Sequence, residues 1–257
     1  MRTPLIRRAL VPVLGLGVLL AACSDDTTAE SSITTDAGAA PAAFCAKAGD
    51  LVQSLDSEGD PSAALQAAVD AAPGTTGEKL QALGEQFGAA AQSANESGND
   101  AAFLAEDLRT AAATAFGAIA TTCDLQNVEL AATEYSFGDV PDVLTRGLTA
   151  FHLANGGKQA HEMLLYRRAA GTTGDLVDIV NEDPTVSDGR LEEVGVMLPA
   201  GPGEDSVVLE DLAAGDYVMV CFLQDGTTSV DQIASGDVDR SAKDHRSLGM
   251  TDTFMVG

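Results

Sequence analysis

A single change of hydrophobic period, near residue 125, constrains this chain more than any other feature. Before it, apolar residues recur at helical spacing. Leu80, Leu83 and Phe87 fall at i, i+3 and i+7, and Phe103, Leu104, Leu108, Phe116 and Ile119 continue with a period near four to Cys123. Upstream, Leu51, Val52 and Leu55 mark another helix. Asp60-Pro61 supplies a cap and a proline at the first helical position, opening a segment with Leu65 and Val69 that Pro73-Gly74 ends. Asn95 to Asp100 reads as a polar turn. Beyond the switch the signal is short β-prone runs, at Thr133 to Phe137, Leu148 to Leu153, Gln159 to Tyr166, Ser206 to Leu212, Asp216 to Phe222 and Thr253 to Val256. Gly and Asn turns separate them. Helices first and strands after predict an α+β chain of two domains: a small N-terminal α-helical bundle of about four helices over 45–124, then an antiparallel β-sandwich over 128–257. Two polar interruptions break the second half. Gly171 to Arg190 holds a short helix around Leu176 to Val180, and Asp225 to Asp244 is an aspartate-rich loop. With no Trp and few aromatics, Ala, Val and Leu must fill much of the core.

The first 22 residues read as an export signal and are set aside from the fold. Arg2, Arg7 and Arg8 precede an apolar run, Leu10 to Leu20, that is too short to span a bilayer comfortably. Leu20-Ala21-Ala22-Cys23 resembles the bacterial lipobox, which makes Cys23 the lipidation site and the membrane a partner through an N-terminal acyl anchor. The expected location is therefore extracytoplasmic and lipid-anchored. Residues 23–44, rich in Ser, Thr, Ala, Asp and Pro, read as a flexible tether. Loss of the signal removes three arginines and no acid, taking the formal charge from −25 to −28. Such a surface repels nucleic acid, which is excluded as a partner.

The four cysteines divide by position. Cys45 and Cys123 bracket the helical segment, and in an exported chain such a pair is expected to be oxidised. Three pairings among Cys45, Cys123 and Cys221 are formally open. In the favoured one Cys221 is left alone, either buried as a small apolar residue or held at its sulfur by something else.

Three motifs then carry the chemistry: Asn155-x-Gly157-x-x-x-His161, Gly215-x-Tyr217-x-x-x-Cys221 and His245-x-x-x-Gly249-Met250. Two imidazoles and a thiolate with a weak thioether form the donor set of a blue-copper site. With the strand pattern around them, residues 133–257 resemble the cupredoxin (plastocyanin-like) family. The resemblance implies a Greek-key sandwich holding one type 1 copper, with His161, Cys221 and His245 as ligands and Met250 as the axial ligand. It implies single-electron transfer or copper handling, with a redox or protein partner that the sequence does not identify. The chain departs from the family in one respect: 23 residues separate Cys221 from His245, where the family has a short loop. The alternative is a metal-free cupredoxin-like structural or protein-binding module at the cell surface.

Two neighbouring residues receive no role. Glu162 should point to the sheet face opposite His161, and His152, between Phe151 and Leu153, is expected to face solvent. Once the two ligands are assigned, one histidine remains, too few for an oxygen-reducing copper cluster. No serine-nucleophile, phosphate-loop or zinc-protease motif is present, so the chain reads as a carrier rather than an enzyme.

Overall fold

The computed structural model describes residues 39–55, 60–182 and 189–257. The expected export signal, Cys23 and most of the expected tether lie outside the described residues. Among the described residues four α-helices come first: α1 (Ala39–Leu55), α2 (Ser62–Ala71), α3 (Thr75–Ser97) and, after a 3-10 turn at Asp100–Leu104, α4 (Glu106–Thr122). Asp60 accepts a hydrogen bond from the Ser62 amide at 2.9 Å, so it caps α2 from just outside. The Pro73-Gly74 break separates α2 from α3, whose end is Gly98 in the left-handed region. Helix α1 begins inside the stretch expected to be tether, and Phe44 is fully buried because it anchors the helical core.

The helices do not form the free-standing bundle that their pattern predicts. Their core of Phe44, Leu51, Leu80, Leu108 and Ile119, interleaved with Ala68, Ala90, Ala112 and Ala115, continues into Ala150 and Leu209 of the sheet beneath. Small side chains bury little area each, so the helices complete their core on the sheet. No described helix is long and apolar enough to cross a membrane.

Nine strands follow among the described residues: β1 (Gln126–Thr133), β2 (Ser136–Gly138), β3 (Val143–Leu144), β4 (Gly147–Asn155), β5 (His161–Arg168), β6 (Leu191–Ala200), β7 (Asp205–Leu212), β8 (Gly215–Val220) and β9 (Thr251–Val256). They form two sheets, ordered β2-β1-β4-β7 and β3-β9-β8-β5-β6. The sandwich is mixed, not antiparallel throughout: β1 pairs with β4, and β3 with β9, in parallel. The cause is the path of the chain, which leaves the first sheet after β2, visits the second at β3 and returns as β4 running in the direction of β1. Between the sheets lies a core of Val128, Leu130, Phe151, Leu153, Met163, Leu165, Tyr217, Met219 and Phe254.

Two strand expectations need correction. Thr133 to Phe137 is not one run but the end of β1 and the start of β2, joined by a tight turn in which Tyr135 takes a φ of 65°. Strand β6 runs through a region where no strand was expected. On the outer face of the second sheet, helix α5 (Leu176–Glu182) covers Leu164, Tyr166, Val218 and Val220, as the short-helix reading anticipates. Part of that polar interruption, 183–188, lies outside the described residues.

Candidate metal centre

His161 is the first residue of β5, and Cys221 directly follows β8, a neighbour of β5 in the same sheet. The Asn155 side chain builds the approach to His161. Its carboxamide accepts from the Gly157 amide at 2.9 Å and donates to the carbonyls of Gln159 at 2.8 Å and Ala200 at 2.9 Å. Gly157 is required there, since a Cβ would stand 2.7 Å from Glu134 Oε1 and 2.9 Å from His161 Nε2.

The long segment after Cys221 does not carry His245 away. Gln224 and Asp244 form a β-bridge, and the Asp225 amide donates to the Lys243 carbonyl at 2.8 Å, so the insertion is pinched shut at its base. The His245 amide donates to the Leu223 carbonyl at 2.8 Å, and the Arg246 amide to that of Cys221 at 2.8 Å. Within the insertion, Ser229 and Gln232 form a capping box on helix α6 (Val230–Ser235). A 3-10 turn at Arg246–Leu248 ends at Gly249 with a φ of 112°, a value that favours glycine. The turn brings Met250 back. Its amide donates to the His245 carbonyl at 2.9 Å, and its carbonyl accepts from the Cys221 amide at 3.2 Å.

His161, Cys221 and His245 therefore converge. Their donor atoms lie within 4.8 Å of one another and all three residues are buried. The two imidazole centroids are 4.9 Å apart, and His245 Nδ1 is 3.4 Å from Cys221 Sγ. Met250 is fully buried in the same core cluster as Cys221. Both ring nitrogens of His161 are buried without a hydrogen-bond partner. Leaving a buried polar atom unpaired costs about 1–3 kcal/mol, so these atoms mark a site that a ligand would satisfy. Burial pushes His161 down to about 4, with His245 adding to the shift and Glu134 opposing it. Burial also lowers His245, against the pull of Asp225 and Asp244. Burial, with Glu162 nearby, holds the Cys221 thiol well above its usual range. Two neutral imidazoles and an inert thiol, packed together away from water, become a strong donor set only when a soft cation takes the place of the thiol proton. The donor set fits a type 1 copper site, in which two nitrogens and one sulfur share a trigonal plane.

Glu162 does point to the other sheet face, where it is buried and accepts from the Phe222 amide at 3.2 Å. Burial pushes its carboxyl up to about 7. His152 is half-buried rather than solvent-facing, and its ring lies near Gly117 of α4 because the helices cover that sheet face. The sequence reading missed the polar layer over His245. Tyr135 meets the His245 ring edge-on at 5.5 Å, and Gln159 Oε1 lies 3.2 Å from its Nε2. The Tyr135 hydroxyl donates to Asp225 Oδ1 at 2.6 Å and, with the Gln159 amide, holds that carboxyl below its usual range. These residues come from different loops, and no local motif announces them. An apolar cavity of about 860 Å3 lies between the helices and β6–β7, and none of its lining residues belongs to the metal centre.

The two buried groups give the metal-free protein opposing pH slopes. Glu162 has a folded value above its ordinary 4.5, so the stability it contributes is intact below about 4.5 and lost as pH rises to about 7. His161 has a folded value below its ordinary 6.5, so its contribution is lost as pH falls from 6.5 to about 4. Glu162→Gln keeps an acceptor for the Phe222 amide and removes the first slope. Urea midpoints measured against pH should show the variant gaining on the parent between 4.5 and 7, with the difference constant above that range. A constant difference across that range would refute the assignment.

The two-sheet sandwich thus carries a buried cluster of His161, Cys221 and His245. Among solved structures, the chain is similar to dithionite-reduced auracyanin from the photosynthetic bacterium Roseiflexus castenholzii, with 17% identity and a TM-score of 0.32 over 51% of this chain and 97% of that one. It is similar to auracyanin A, a "blue" copper protein from Chloroflexus aurantiacus, at 15% identity and 0.31 over 51% and 98%. For reduced rusticyanin the values are 12% and 0.30 over 51% and 80%. No protein-family model and no curated protein matches the chain. What this chain can bind is set by its own donor atoms.

Proposed function

We propose that this protein is an extracytoplasmic, lipid-anchored electron carrier whose sandwich would hold one type 1 copper through His161, Cys221 and His245, with the thioether of Met250 as a further weak donor. One observation carries the reading: two imidazoles and one thiol, buried together with donor atoms within 4.8 Å, with both ring nitrogens of His161 unpartnered. Copper bound there would supply reversible one-electron chemistry. The protein's part is to hold the donors in one geometry and keep water out. His161 is fixed on a strand inside the sandwich, while Cys221, His245 and Met250 are tied to one another by their own backbone hydrogen bonds. A centre that does not rearrange between oxidation states suits electron transfer, and copper delivery would use the same ligands.

Among the described residues no further nucleophile–base pair adjoins the cluster, which favours a carrier over an enzyme. The Cys45–Cys123 disulfide suits an oxidising compartment outside the cytoplasm. Anchoring is tested separately, because it rests on the lipobox-like motif alone. Cys23→Ala should move the protein from the membrane fraction to the soluble extracytoplasmic fraction, and an unchanged distribution would remove the anchor from this reading. The copper reading is tested by loading the protein with Cu(II), desalting it, and measuring copper per chain, the visible spectrum and a reversible one-electron potential. A folded protein that stays colourless and metal-free would leave the structural or protein-binding module as the function.

A further inference from the structure

We propose that Gln159 is a positioning residue that fixes His245 in the Nε2–H tautomer and so presents its Nδ1 lone pair to the metal site. Only the final step rests on the copper reading. The rest follows from the hydrogen-bond network, in which each amide and imidazole atom must be assigned by its neighbours.

The network begins at Asp225. The Asp225 carboxylate can only accept, and its Oδ1 receives the Tyr135 hydroxyl at 2.6 Å. The same Oδ1 lies 3.0 Å from the Gln159 side-chain nitrogen, which must be the NH2 end of the amide. Tyr135, with its proton committed to Asp225, has a lone pair free for the second N–H of Gln159 at 3.4 Å. From the other side, the Gly226 amide can only donate, and it meets Gln159 Oε1. Acceptor at one end and donor at the other impose the same orientation on the amide. Gln159 Oε1 therefore faces His245 Nε2 at 3.2 Å as an acceptor, and that nitrogen must carry the hydrogen. A neutral imidazole has one N–H, so Nδ1 is left with its lone pair, 3.4 Å from Cys221 Sγ.

The anchor is built from three loops, contributing Tyr135 from the β1–β2 turn, Gln159 from the β4–β5 loop, and Asp225 with Gly226 from the insertion. The long segment that departs from the family pattern thus supplies the far end of the chain of bonds that orients His245. The two histidines differ in this respect: His245 has an assigned job for each nitrogen, whereas neither nitrogen of His161 has a partner.

The tautomer is readable without metal. Long-range 1H–15N NMR on metal-free protein labelled with 15N-histidine, above pH 7, should show His245 protonated at Nε2 and unprotonated at Nδ1. In Gln159→Leu the Nε2–H loses its acceptor, and Nδ1–H, which can donate to the Cys221 sulfur, should become the larger population. A parent protein protonated at Nδ1, or a folded leucine variant with an unchanged pattern, overturns the proposal. If the leucine variant does not fold, the parent spectrum alone decides. When copper is loaded, Gln159→Leu should weaken Cu(II) affinity by about 10–100-fold, the range for lost partners of metal-bound histidines. A parent with the expected tautomer that nonetheless takes up no copper would sink the copper reading and leave the role of Gln159 standing.

Discussion

Replacing Cys221 with serine is expected to abolish the visible charge-transfer band of the copper-loaded protein and to reduce copper retained after desalting from about one per chain to near none. The thiolate is the only soft anionic donor at the site, and the colour of a type 1 centre belongs to its bond to copper. A serine hydroxyl is a hard oxygen that stays protonated at neutral pH, and it replaces neither the charge nor the covalency. The fold should persist. Cys221 is held in place through its backbone, which donates to the Met250 carbonyl and accepts from the Arg246 amide, and serine keeps both bonds. The new hydroxyl is buried, but His245 Nδ1, now 3.4 Å from the sulfur, can accept from it. The effect on stability should therefore stay within about 1–3 kcal/mol, the cost of a poorly satisfied buried polar group. Burial keeps the free thiol protonated, so copper must displace a proton, and apparent affinity should rise with pH. Circular dichroism, copper analysis and absorbance on the same samples check all three outcomes. A serine variant as blue as its parent would place the copper elsewhere.

Local pattern made the fold legible where short apolar runs were bounded by Gly and Asn turns. The runs at Leu148 to Leu153 and Ser206 to Leu212 read correctly as strands β4 and β7. Strand β6 did not, and its sequence explains why. It pairs only with β5, at the sheet edge; Glu192 and Glu193 are both exposed, and a register shift skips Val194 between the pairs Tyr166–Glu193 and Leu165–Gly195. A bulge of that kind erases the period of two, and Gly195 and Pro199 add loop signals. The parallel pairs were illegible for a different reason, because strand direction depends on which sheet β3 joins, and nothing local encodes it. At the site, the three motifs placed His161, Cys221 and His245 together because each spacing follows from a turn leading into or out of a strand. The closure of the 23-residue insertion was not legible, since it depends on a bridge between Gln224 and Asp244. The capping box of Ser229 and Gln232, with Gly236 ending the helix, is a local signal in that stretch that predicts structure from sequence alone.

Removing the disulfide should produce the largest loss of stability with the least effect on the copper centre. Cys45 lies in α1 and Cys123 follows α4, and the bond between them closes a separation of 78 residues. In the chain-entropy account such a loop is worth about 4.5 kcal/mol, through the freedom it removes from the unfolded chain. The helical layer depends on this constraint because so many of its buried positions are alanine: Ala68, Ala90, Ala112, Ala115 and Ala120 are all in its core. Each buries far less apolar area than a leucine, so the layer has little reserve. The metal donors hang from β5, β8 and the loops at one end of the sandwich, and none of them comes from the helices. Cys45→Ala/Cys123→Ala should therefore lower the urea midpoint strongly while the copper-loaded protein keeps its spectrum in the absence of denaturant. The double variant is the right probe, since a chemical reductant would also reduce the copper. A loss below about 1 kcal/mol would mean that the unfolded chain already holds α1 near α4. A change in the spectrum would mean instead that the helices reach the metal centre through Ala150 and Leu209 of the shared sheet, coupling the two halves that the sequence presents as separate.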